Sequence, residues 1–378
     1  MQQRIGTVIR AYEEQGVHRT GTAVDRISGD WLANEVRQIG LEPVLEEFSL
    51  SRVDPVDASL AVDDRKIEGL PLFDGGFTSP AGIAGRLGSL NDDASIGLAE
   101  IAPNAAGADT LGDARRQHRH RAIVVITRGA CPGLCPSNAE SFLRPFGPPV
   151  LQVASEEAPF LADCARRDAK ALLTAHVERA QAQAFNVLAL VPGTDKGVAP
   201  LVVMTPRSGW WWCASERGGG LACWLEIMRA TRGARPVRDV LFVASSGHEL
   251  GHLGLDAFIE RRPGLVSAAK AWIHLGANIG AARGPGNTLQ ASDDEMESMM
   301  AEVMTKAGLP IDRRRPRGTV PLGEAENVHR GGGRYISIIG NNELFHNTSD
   351  RGADVIDPRV IERFAGAFVM VATSLASA

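Results

Sequence analysis

His248, Glu249 and His252 stand close together at the end of the stretch Val240-Leu-Phe-Val-Ala-Ser-Ser-Gly-His-Glu-Leu-Gly-His252. Two imidazoles and a carboxylate at this spacing suggest metal chemistry: on a helix, His-Glu-x-x-His puts two nitrogen ligands one turn apart with a carboxylate as general base. The run 240–244 is short, apolar and rich in β-branched residues, and Asp239 and Ser245-Ser246-Gly247 bound it, so it reads as a buried parallel strand. In open α/β sheets ligands sit beyond the carboxyl ends of strands, which places His248 and Glu249 where a site is expected. Gly251 and Gly254 interrupt the helical pattern. The zincin arrangement is therefore only one option, beside a plain surface histidine pair at a strand–helix turn.

The elements that must position these groups follow a βα pattern. Helices are expected within 4–39, with 28–40 amphipathic and ending on Gly40, and a strand over 41–53. Short strand-like runs at 58–62, 122–127, 150–153 and 171–177, separated by Gly, Pro and Asp, indicate a β-rich module with a helix at 158–170. The region 92–113 reads as loop. Strands return at 185–193 and 200–205, a helix follows the glycines at 218–220, and further strands are expected at 271–275 and 334–340. Helices are expected at 255–261, 293–307 and 358–376. This predicts an α/β fold, a mostly parallel central sheet with helices on both faces, plus an inserted β-rich domain. The domains are 1–54 with 185–378, and 55–184.

The chain has 378 residues, a net charge of −5 and 22% charged residues. Its length suggests two domains. The mild acidity argues against nucleic acid as a partner, since the basic runs at 115–121 and 313–317 read as solvated loops. No leader-like start and no run of about 20 apolar residues is evident, so no membrane partner and a cytoplasmic location are expected. Five cysteines with no framework spacing fit reduced thiols; Cys131-Pro-Gly-Leu-Cys135 alone is a weak metal or disulfide signal.

Several stretches resemble the zinc exopeptidase family that includes aminopeptidase Y, glutamate carboxypeptidase and glutaminyl cyclase. They are His18-Arg-Thr-Gly-Thr22, Trp31-Leu-Ala33, Asn186-Val-Leu-Ala-Leu-Val-Pro-Gly193 and Phe345-His-Asn-Thr-Ser-Asp350. Residues 55–184, with Gly147-Pro-Pro-Val-Leu-Gln-Val153, resemble the protease-associated (PA) domain many members carry. The resemblance implies a two-zinc centre, but this chain departs from it. The family's His-x-Asp falls on Pro206-Arg207-Ser208, its bridging Asp on Glu216, its Glu-Glu pair on His248-Glu249, and its later Asp on Gly276. The late His is kept as His346. What the resemblance implies is thus one zinc ion per chain on Glu216, Glu249 and His346, with His248 as base. The alternative makes His248 and His252 ligands with Glu249 as base.

Arg207 and Arg217 could bind a substrate carboxylate, or neutralise Glu216 and Glu249 in an empty pocket. Trp210-Trp-Trp212 either lines the cleft, with Trp210 as a substrate contact, or plugs the core. His274 and His329 read as structural, and Glu324 or Glu326 as support behind the site. The function expected is a metal-dependent hydrolase, aminopeptidase-like, of a small peptide or amide-like substrate. The alternatives are a non-catalytic homologue that binds a ligand or partner, and a non-hydrolytic enzyme such as a cyclase.

Overall fold

The computed structural model describes residues 1–103 and 109–377. Two helices, α1 (Gln2–Glu13) and α2 (Ala23–Ile39), open the chain, and α2 ends on Gly40 in the left-handed conformation. Then come β1 (Val44–Val62), β2 (Arg65–Pro71), β3 (Ile83–Ser89), β4 (Ile96–Ile101), α3 (Asp109–Arg116), β5 (Ala122–Thr127), β6 (Val150–Val153), α4 (Ala158–Arg166) and β7 (Lys170–Val191). The second half runs β8 (Leu201–Pro206), α5 (Ala214–Ala234), β9 (Val240–Ser245), α6 (Leu253–Glu260), α7 (Leu265–Ala268), β10 (Ala271–Leu275), β11 (Asn287–Ala291) and α8 (Asp294–Lys306). It closes with β12 (Arg313–Arg314), α9 (Ala325–Arg330), β13 (Tyr335–Gly340) and α10 (Pro358–Ser377).

The expected α/β class holds, with a large central sheet. Its heart is the parallel set β9-β8-β10-β13, buried because helices cover both faces. The apolar side chains of β8 and β9 feed two clusters: Val203 and Phe242 pack with α1, α5 and α10, while Val202, Met204 and Val243 pack with α6 and α9. Antiparallel strands flank this heart, β7 on one side and β11 on the other.

Two expected pairs of short strands are fused. The runs expected at 41–53 and 58–62 fuse into the single strand β1, which starts at Val44, and those expected at 171–177 and 185–193 fuse into β7, which ends at Val191; the two pair along nearly their whole length, with one irregularity at Pro55/Asp57. Pairing continues through the polar middle because each strand supplies the other's backbone partners. The boundary expected near 54 thus lies within β1, beside the Pro55/Asp57 irregularity, and that expected near 184 lies within β7. Beyond them the order β1-β2-β6-β5-β4-β3-β7 closes back on β1, wrapping a separate apolar cluster around Leu60, Val124, Ile126, Leu151 and Leu173.

The loop expected at 92–113 is corrected: β4 and the start of α3 lie within it, and β4 pairs in parallel with β5. Its residues 104–108 fall outside those described. Small residues diluted the strand signal of Ile96-Gly-Leu-Ala-Glu-Ile101. The expectation that no segment is long and apolar enough to span a bilayer also fails for α10, whose 20 residues pass on length and composition. Half of that helix is buried, with Phe364 and Phe368 in the main core.

Candidate active site

The parallel strands end together, and the loops after β8, β9, β10 and β13 carry the polar groups. After β9 the chain turns sharply. Gly247 has φ 87°, and a Cβ there would lie 2.8 Å from the Cβ of Leu253. A single 3-10 turn over His248–Leu250 follows, then Gly251 and His252 in the left-handed region, and only then α6. The helical His-Glu-x-x-His geometry is therefore absent. The two imidazoles still come close, with ring centroids 4.9 Å apart.

His248 is 7% exposed and borders a cavity of about 700 Å³, together with His252, His274, Asn138, Glu140 and Asn342. Its Nδ1 lies 3.5 Å from Oε1 of the buried Glu324 without a hydrogen bond between them, and that oxygen accepts a 2.6 Å hydrogen bond from the Ser245 hydroxyl. Burial, then the Arg217 charge and His252, hold the His248 pKa well below the ordinary histidine value. A neutral imidazole at neutral pH can accept a proton. His274 was expected to be structural, but it joins this wall. Its Nδ1 meets the Ser337 hydroxyl at 2.8 Å, its Nε2 has no hydrogen-bond partner, and burial lowers its pKa to about 4. Its place near the carboxyl end of β10 was the signal available in the sequence.

The residues expected as ligands do not all converge. Glu249 turns away from the cavity: one oxygen accepts the Thr20 amide at 2.7 Å and the other the Ser208 hydroxyl at 2.7 Å. It is neither free base nor open ligand. His252 points its Nδ1 at Asn327 Oδ1, 2.8 Å away. Glu216 and His346 do meet, with Nε2 of the imidazole 3.5 Å from Oε1 of the carboxylate. Arg217, however, reaches from the first turn of α5 to the loop after β8 and fills the site. Its Nη2 stands 2.7 Å from the same Glu216 oxygen, its Nε donates to the Ser208 carbonyl at 2.7 Å, and both residues are 1% exposed. Burial alone would raise the Glu216 pKa, but Arg217 and then His346 outweigh it and hold it at about 2. Among the described residues no three His, Cys, Asp or Glu side chains stand where they could share an ion. With Glu249 engaged and Glu216 neutralised, the side chains as arranged do not fit the expected mononuclear zinc.

The proposed substrate contacts also need correction. Arg207 is fully buried, paired with Asp25 at 2.8 Å and donating to the carbonyls of Asp25 and Phe185, so it ties β8 to α2 and β7 and cannot reach a substrate. Trp210 packs edge-on against Phe73, donates to Asn138 and is 1% exposed, which is the core-plug alternative. Trp211 instead donates to the His346 carbonyl at 2.8 Å, steadying that loop. Arg217, buried against Glu216, does not line this cavity.

No family model matches the sequence, and no curated protein matches it. Solved structures do. A zinc aminopeptidase from Bacillus subtilis superimposes with a TM-score of 0.81 at 15% identity, covering 100% of this chain and 95% of that one. A structure described as a Peptidase M28 precursor from Shewanella amazonensis SB2B gives 0.77 at 14%, covering 100% and 96%. An aminopeptidase from Aneurinibacillus sp. strain AM-1 gives 0.73 at 14%, covering 100% and 94%. At such identities the likeness is one of fold.

Proposed function

We propose that this chain is a peptidase-like hydrolase of a peptide or amide-like substrate, working in the cavity above the strand ends with His248 as the base. The observation that carries the reading is the His248–Glu324 pair: a carboxylate 3.5 Å behind Nδ1 of a buried imidazole, with the cavity in front of it. A carboxylate in that place favours the tautomer with the proton on Nδ1, leaving Nε2 free to take a proton from an attacking water and to return it to the leaving amine as the C–N bond breaks. His274, with an unpartnered Nε2, is suited to donate to the oxygen that gains charge as the carbonyl is attacked. The full-length likeness to aminopeptidases, the Bacillus subtilis one a zinc enzyme, supports a peptide-like substrate; that zinc is not carried into this reading, because the ligand set here does not fit it.

The segment 55–184, read as a protease-associated-like module, lends Asn138 and Glu140 to the cavity wall and would limit substrate size. A cytoplasmic location belongs to the same proposal and is supported by five cysteines that all stand as free thiols. A second reading, ligand binding without turnover, is favoured by one observation: Glu249, the carboxylate beside the base, is fully engaged in holding the fold.

The test is a panel of aminoacyl amides and short peptides, with product amine followed by mass spectrometry. Turnover by the wild type that falls at least about 100-fold in His248→Gln is expected. Saturable calorimetric binding with no product would favour the second reading.

A further inference from the structure

We propose that the guanidinium of Arg217 takes the role of a metal ion at Glu216 and His346, so that this centre is charge-balanced and folds with no ion bound. One Glu216 oxygen faces two groups, the Arg217 Nη2 at 2.7 Å and the His346 Nε2 at 3.5 Å, as it would face an ion and a fellow ligand. The head group cannot drift, because its Nε is held by the Ser208 carbonyl at 2.7 Å. The same Ser208 uses its hydroxyl to hold Glu249 away, and that hydroxyl also accepts the amides of Gly247 and His248. One residue thus locks the surrogate cation in and the third would-be ligand out.

The charges agree. A buried carboxylate needs a nearby positive charge, and a single guanidinium supplies it. A divalent ion entering beside Arg217 would add two further positive charges to a buried site where Glu216 is already paired with Arg217 and Asp350 is tied to the start of α5 by the Ser215 and Glu216 amides. The Nε2 of His346, buried and without a hydrogen-bond partner, is the remnant ligand. Removing Arg217 should therefore uncover Glu216 and His346 as a weak metal site. This inference is independent of turnover, because a protein that only binds its ligand would need the same internal cation.

The experiment uses the full chain, incubated with zinc chloride or with a chelator, then buffer-exchanged for metal analysis and melted. Wild type should retain no stoichiometric zinc, and neither reagent should move its melting temperature. Arg217→Ser should melt lower than wild type and be raised again by zinc, an effect absent from Arg217→Ser/Glu216→Gln. One zinc per wild-type chain with chelator-sensitive melting would overturn the proposal, as would an Arg217→Ser protein indifferent to zinc. Should Arg217→Ser not fold, Arg217→Lys, which keeps the charge, is decisive: it should fold and ignore zinc and chelator, and a chelator-sensitive Arg217→Lys protein overturns the proposal.

Discussion

A buried imidazole serves as a base only while its surroundings keep it neutral, and His248 is kept neutral by burial, Arg217 and His252. The consequence is a pH profile displaced to acid: activity should persist below the ordinary histidine pKa of about 6.5 and fall only as pH drops through the depressed value. A kcat/KM profile breaking near or above 6.5 would contradict this. Glu249 has a different job. Its two charge-assisted hydrogen bonds tie the loop before α2 to the loop after β8, so Glu249→Ala should lower stability by about 3 kcal/mol, read by urea titration, because the Thr20 amide and the Ser208 hydroxyl lose their partner. Glu249→Ala should also leave metal content unchanged. Arg217 was one of two arginines open to either reading from sequence, substrate contact or internal neutraliser. Adjacent residues on a helix do not face each other, so nothing in the spacing showed that the Arg217 stem would fold back onto Glu216 within the first turn of α5.

Element α5 sets the geometry of the centre. Its start is fixed by Asp350, which accepts the amides of Ser215 and Glu216 and the Ser215 hydroxyl. The glycines of that first stretch let the helix sit directly on the chain after β10: a Cβ on Gly219 would lie 1.9 Å from the Ile279 carbonyl oxygen. Gly219→Ala should therefore cost at least about 3 kcal/mol or prevent folding, whereas Gly233→Ala, in open space on the same helix, should fold and melt at or above the wild-type temperature. The glycines at 218–220 were read as a helix start after a loop through Arg217, whereas α5 begins at Ala214; the helix was legible and its first turn was not. The central strands and the site's place beyond β9 were legible as well, because buried parallel strands leave continuous apolar runs such as 240–244. The fused β1 and β7 were not, since their polar middles look like turns and only the partner strand makes them continuous. The turn after β9 was half legible: its glycines argued against a helix, but only the structure gives the left-handed His252.

At the scale of the whole molecule, several buried groups link stability to pH. Burial lowers His18 to about 3 and His274 to about 4, so the folded protein holds these imidazoles neutral while the unfolded chain protonates them below about 6.5. The stability is present above that value and is lost as pH falls from 6.5 towards 4, by about 3 kcal/mol for His274. Asp350 opposes the trend. Burial raises its carboxyl to about 6, and its contribution grows as pH falls from 6 towards 3.8. Glu140 and Asp256, also raised by burial, act with Asp350, while His248 acts with His18 and His274; the larger displacement of the histidines leaves a net loss, so the urea midpoint should fall between pH 7 and pH 4.5, and a flat or rising midpoint would show that the buried histidines are protonated in the folded state.

The seven strands that close around Leu60 and Val124 form a second cluster beside the central sheet, and they reach the cavity through Asn138 and Glu140. The two parts are tied by β1 and β7 running through both. A cavity of about 700 Å³ at the parallel strand ends, bordered by the neutral His248 with Glu324 behind it, is what the account rests on. The most direct measurement is product release from an aminoacyl-amide and peptide panel by chelator-treated wild type and by His248→Gln at matched concentration. The account predicts that chelated wild type turns over at least one member at its untreated rate and that His248→Gln does not. Loss of activity on chelation, or equal activity in His248→Gln, would contradict it.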